Sequence, residues 1–77
     1  MNDKWFFIRV DGEDVFGDAS LFVIADKVEK EIDLVVGGLA ECVRIVNDTT
    51  GEILFALHTS GERFCRRDVK EIEHLWS

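Results

Sequence analysis

Four side chains in this sequence are soft enough to bind a transition metal or to serve as nucleophile and base: Cys42, His58, Cys65 and His74. No two of them stand at C-x-x-C or H-x₃-H spacing, so a zinc site has no support. Cys42 reads instead as a small buried apolar residue, the usual fate of a free cysteine. His58 lies next but one to Ser60, which sets a base beside a hydroxyl. Acyl-transfer chemistry would also need a nucleophile elbow and a third group to orient the histidine, and neither is present. Gly37-Gly38 follows an apolar-periodic stretch where a phosphate loop would precede one, so it reads as a helix stop. Catalytic residues, metal and cofactor are all expected to be none.

The charged residues are more informative. The chain of 77 residues carries a formal charge of −7. Residues 1–60 hold the whole imbalance, with five basic side chains against twelve acidic ones, while residues 61–77 balance at four of each. Such a charge opposes direct contact with nucleic-acid phosphates and favours a basic protein partner. Asp11, Glu13, Asp14 and Asp18 gather near a first turn, and Asp26, Glu29 and Asp33 recur at intervals of three and four. Carboxylates at such intervals line one side of a helix. They can imitate a phosphate backbone inside a basic groove, and these seven are the candidate partner-binding residues. The opposing reading is a solvated surface. Arg63, Arg66, Arg67 and Lys70 form a basic group, whose arginines on the opposing reading pair with Glu62, Asp68 and Glu71.

The elements that would position these groups follow from turns and periodicity. Asn47-Asp48-Thr49-Thr50-Gly51 is a turn whose Asn and Asp side chains bond their own backbone and whose glycine accepts positive φ. It joins strands Cys42–Val46 and Ile53–Leu57, the hairpin around which the chain is organised. Ile53, Phe55 and Leu57 share one face and Leu54 and Ala56 the other. Apolar residues on both faces predict a layer packed on each side. Asp11-Gly12 predicts a hairpin between Trp5–Val10 and a charged edge strand, Glu13–Phe16, broken by Gly17-Asp18. Asp18 or Ser20 caps a helix over Ala19–Val36, whose stripe is Leu21, Ala25, Val28, Ile32 and Val35. Asp26–Lys30 and Lys27–Glu31 are i,i+4 pairs on it.

Glu62–Arg66 reads as a third strand of the meander or an irregular connection. Asp68, with Glu71 three residues on, opens a short final helix whose apolar side is Val69, Ile72, Leu75 and Trp76. That helix is expected over the second sheet face or at a sheet edge. Cys42 and Cys65 then lie on strands that flank a third, too far apart for a disulfide. The fold class is α+β in one domain, 1–77. It has an antiparallel sheet of four to five strands in the order ββαββ(β)α, with one long helix on a sheet face and a short C-terminal helix. The N-terminus lacks the pattern of a signal peptide and no apolar run spans a bilayer, so a cytoplasmic protein without membrane contact is expected.

From Ala19 onward the order of helix, three-strand meander and helix resembles that of double-stranded RNA-binding domains, which place basic residues at the start of the last helix. The acidic first helix departs from that pattern. By size, charge, layout and the hairpin VRIVNDTTGEILF at Val43–Phe55, the chain resembles the small acidic phage-encoded inhibitors of the anti-CRISPR type. That resemblance implies a non-enzymatic inhibitor acting in the host cytoplasm, which binds a CRISPR effector and blocks its use of nucleic acid. No motif transfers functional residues. The alternative is a structural or oligomerising module, a homodimer through an apolar sheet face or through Trp5 and Trp76.

Overall fold

A computed structural model describes residues 5–76 of the chain, with the side chain of residue 76 left aside; the dimer role considered for Trp76 therefore lies outside the described residues. The first hairpin forms where Asp11-Gly12 places two residues in succession at positive φ, 52° and 86°. This two-residue turn matches the right-handed twist of its strands. It joins β1 (Phe6–Val10) to β2 (Glu13–Asp18). β2 runs two residues past its expected end, because Gly17 does not break it. A Cβ at Gly17 would stand 2.5 Å from Phe7 Cε1 and 2.9 Å from Trp5 Nε1. The glycine is there so that two aromatic rings can lie across the strand.

Ser20 is the N-cap of α1 (Leu21–Val36), its hydroxyl accepting from the Val23 N–H, while Asp18 accepts from the Ser20 N–H at 2.7 Å. Both proposed cap residues are thus used. The stripe is buried at Leu21, Ala25, Val28 and Val35 and half-buried at Ile32, and Ile24, outside the expected stripe, is buried with it. The expected Asp26–Lys30 and Lys27–Glu31 pairs do not form among the described residues. Lys27 lies instead over the Phe16 ring, 5.9 Å from its centre. The helix ends at Gly37 and Gly38, the second at φ 78°.

β3 (Cys42–Asn47) and β4 (Ile53–His58) form the central hairpin, and β5 (Arg63–Cys65) completes the meander. Asn47 sets the turn: its Oδ1 accepts from the N–H groups of Thr49 and Thr50, and its carbonyl from Gly51. All neighbours are antiparallel in the order β2-β1-β3-β4-β5, which makes β3 the middle strand. Ile45 faces Phe55, yet the next pair is Val46 with Ile53. Leu54 is the extra residue of a bulge, and a bulge reverses the facing of what precedes it. Ile53 therefore leaves the face of Phe55 and Leu57, contrary to the plain alternation.

The core lies between α1 and one sheet face, where Ile8, Val43, Ile45 and Phe55 meet Ile24 and Val28. Fully burying side chains of this size contributes about 1.5–3 kcal/mol each. The segment Lys70–Trp76 is a 3₁₀ helix. It packs beside α1 and β5, with Ile72 and Leu75 joining the same core. It opens without the expected capping box, since Asp68 turns to Arg66. The expectation of a layer on each side is thus corrected. Both helices share one face, and among the described residues no element covers the other.

Candidate functional site

The uncovered face is assembled by alternation along the strands. Phe7 and Arg9 come from β1, Cys42, Arg44 and Val46 from β3, Ile53 and Ala56 from β4, and Phe64 from β5. Trp5 lies beside Phe7 above Gly17. Trp5, Ile53 and Phe64 keep 44%, 40% and 48% of their surface in water, while Val46, enclosed between Phe7 and Ile53, keeps 5%. One cross-strand row reads Asp14, Arg9, Arg44, Ala56, Phe64. Arg9 and Arg44 are directly opposite, a like-charge juxtaposition that destabilises a sheet. Asp14 relieves it by accepting from Arg9 Nε at 2.7 Å, which also raises the Arg9 pKa. Arg44 has no carboxylate at ion-pair distance among the described residues.

The seven carboxylates proposed as a partner surface divide. Asp11 accepts from the N–H groups of Glu41 and Cys42 at 2.9 and 3.1 Å, tying the first turn to the start of β3. Asp14 answers Arg9 and Asp18 supports the helix cap. Glu13 stands exposed on the β2 edge. Asp26, Glu29 and Asp33 are exposed on the flank of α1 that faces the 3₁₀ helix, where Glu29 lies 3.6 Å from His74. The structure thus brings together the three helical carboxylates and leaves the four hairpin residues apart from them.

Of the basic group, Arg66 is committed to Asp68 and Glu52. The Arg66 hydrogen bond holds the Asp68 carboxyl below the ordinary range. Cys42 is half-buried on the open face, so its expected burial is corrected. Cys65 is the core cysteine, and burial pushes its thiol pKa up, away from reactivity. The two are free, and they sit on opposite faces of β3 and β5 with β4 between. His58 Nδ1 accepts from the Ser60 N–H and lies 3.0 Å from its hydroxyl, which makes the pair a turn lock. Among the described residues no cluster of three or more His, Cys, Asp or Glu could hold a metal ion, and no helix is long and apolar enough to cross a membrane.

Cys42 and His58 reach the open face as a cross-strand pair, yet among the described residues they complete no nucleophile set or ligand set there. The signal that marks the face is Arg9 and Arg44, each a lone charge within a mostly apolar strand. No protein family, curated protein or solved structure compared with this chain matches it.

Proposed function

We propose that this protein acts by binding another protein through the open face of its sheet, without making or breaking bonds. One observation carries the reading: Trp5, Ile53 and Phe64 stay exposed around the enclosed Val46, on a face that no other element of the described chain covers. Contiguous exposed apolar surface marks interaction sites, and aromatic and arginine side chains are the usual anchors of such contacts. Free cysteines suit a cytoplasmic setting.

A second reading rests on the helix flank. Asp26, Glu29 and Asp33 lie exposed together, and a partner with a basic nucleic-acid groove, such as a CRISPR effector, would be met there by an inhibitor. The two readings are separated by affinity capture from lysate with wild-type protein, an Ile53→Ser/Phe64→Ser variant and an Asp26→Lys/Asp33→Lys variant. Docking through the sheet predicts that the captured partner is lost with the first variant and kept with the second, with a shallower dependence on salt than the acidic flank would give. The reverse pattern, with capture falling steeply as salt rises, supports the acidic flank.

A further inference from the structure

We infer that the open face receives a protein segment in which a carboxylate stands beside apolar side chains, the carboxylate pairing with Arg44; this rests on the docking reading above. Arg44 occupies the middle strand and so the centre of the face. Its neighbour Arg9 already has Asp14, whereas Arg44 itself is exposed and unanswered among the described residues. Two open hollows meet at Arg44, of about 310 and 350 Å³, and share Cys42 and His58. The first extends to Ala56, Phe64, Arg63 and Glu62, and the second to Arg9, Gly12, Glu41 and Asp11, whose carboxylate is taken up by the Glu41 and Cys42 N–H groups. An apolar side chain fits against Ala56 and Phe64 while its acidic neighbour reaches the guanidinium, whose planar fork suits a carboxylate.

Two other occupants fit less well. A second copy, paired face to face about a two-fold axis, would bring Arg44 against Arg44 in a desolvated interface, and such like charges cost heavily. A nucleic-acid strand would meet a single arginine unanswered among the described residues, on a chain of net charge −7, which opposes a polyanion.

The test uses a random linear peptide library displayed on phage, selected against the wild-type protein. Binding of the winners is mapped by backbone amide resonances and their affinity is measured on Arg44→Gln and Arg9→Gln. The expected winners carry Asp or Glu beside apolar residues and shift the resonances of Arg44, Ala56 and Phe64. They weaken about tenfold or more on Arg44→Gln and less on Arg9→Gln. Winners that map to the open face without acidic residues, or that bind Arg44→Gln equally well, overturn the carboxylate and leave the docking face standing. Winners that map to α1, or a selection that yields none, overturn both. A thymidine oligonucleotide shifting the same resonances, or sedimentation as a dimer that occludes Phe64, overturns the choice of occupant. Unchanged resonance dispersion in Arg44→Gln shows that the variant is folded.

Discussion

The two faces of this sheet come from the same five strands and have opposite fates. On the covered face, Ile8, Val43, Ile45 and Phe55 are sealed by α1 and the 3₁₀ helix. On the open face, Phe7, Ile53 and Phe64 make cross-strand contacts and then meet water, with Val46 enclosed between Phe7 and Ile53. The covered face therefore holds the fold, because burial stabilises in proportion to the apolar area removed from water. The open face can vary in chemistry without undoing the sheet. That division of labour also explains the position of Arg44, which would be costly if buried unpaired and is tolerated where solvent reaches it.

The sharpest way to break the comparison is to delete matched side chains on the two faces. Phe55→Ala on the covered face should cost about 3–5 kcal/mol, through lost transfer energy and the cavity left behind. Phe64→Ala, the same chemistry on the open face, should cost under about 1 kcal/mol. Urea unfolding of the two variants measures the difference. Equal costs would mean that something packs on the open face in the free protein.

Two smaller changes probe how each face is tied down. Asp11→Ala removes the acceptor of two N–H bonds, from Glu41 and Cys42, and puts alanine at φ 52°. The expected loss is about 1–2 kcal/mol, while Asp11→Asn, which keeps an acceptor and tolerates left-handed backbone, should lose little. Gly17→Ala sets a Cβ against the Phe7 and Trp5 rings. Rings at a surface can move, so about 1 kcal/mol is expected, the low end for overpacking. Tryptophan fluorescence should change with it, while stability of the covered face persists.

How much of this was legible in the sequence depended on whether the deciding interaction was local. The Asp11-Gly12 and Asn47–Gly51 turns, the Ser20 cap and the α1 stripe are set by neighbours in sequence, and all could be read. The facing of Ile53 could not, because the Leu54 bulge is a property of how β3 and β4 pair. Nor could Gly17: it looks like a breaker until Phe7 and Trp5 are seen to lie over it. The 3₁₀ helix was free, on pattern alone, to cover either face, and contacts of Ile72 and Leu75 with distant elements placed it beside α1. The acidic residues were legible as charges and not as positions. Asp11 and Asp18 accept from backbone N–H groups, and for Asp11 the donors are thirty or so residues away.

The weakest tie tests whether acid reaches one face before the other. Asp68 is held below the ordinary carboxylate range chiefly by its hydrogen bond from Arg66, which also pairs with Glu52 at the β3–β4 turn. A carboxyl lowered in the folded state contributes stability that is present above its unfolded value, about 3.9, and lost as pH falls through the folded one. Acid should therefore loosen the connection that leads into the 3₁₀ helix, on the covered side. The effect is small because the pair is exposed and screened. On the open face, the Arg9 shift is upward, so its contribution is complete at neutral pH and fades only in strong alkali. Hydrogen exchange at the Ile72 N–H, which bonds to the Val69 carbonyl, should quicken in wild type as pH falls below about 4 relative to Asp68→Asn, after correction for the intrinsic pH dependence. Protection at Phe7 and Val46 should change equally in both proteins. If Ile72 shows no difference between them, the carboxylate of Asp68 does not hold the 3₁₀ helix to the core, and the apolar contacts of Ile72 and Leu75 do so unaided.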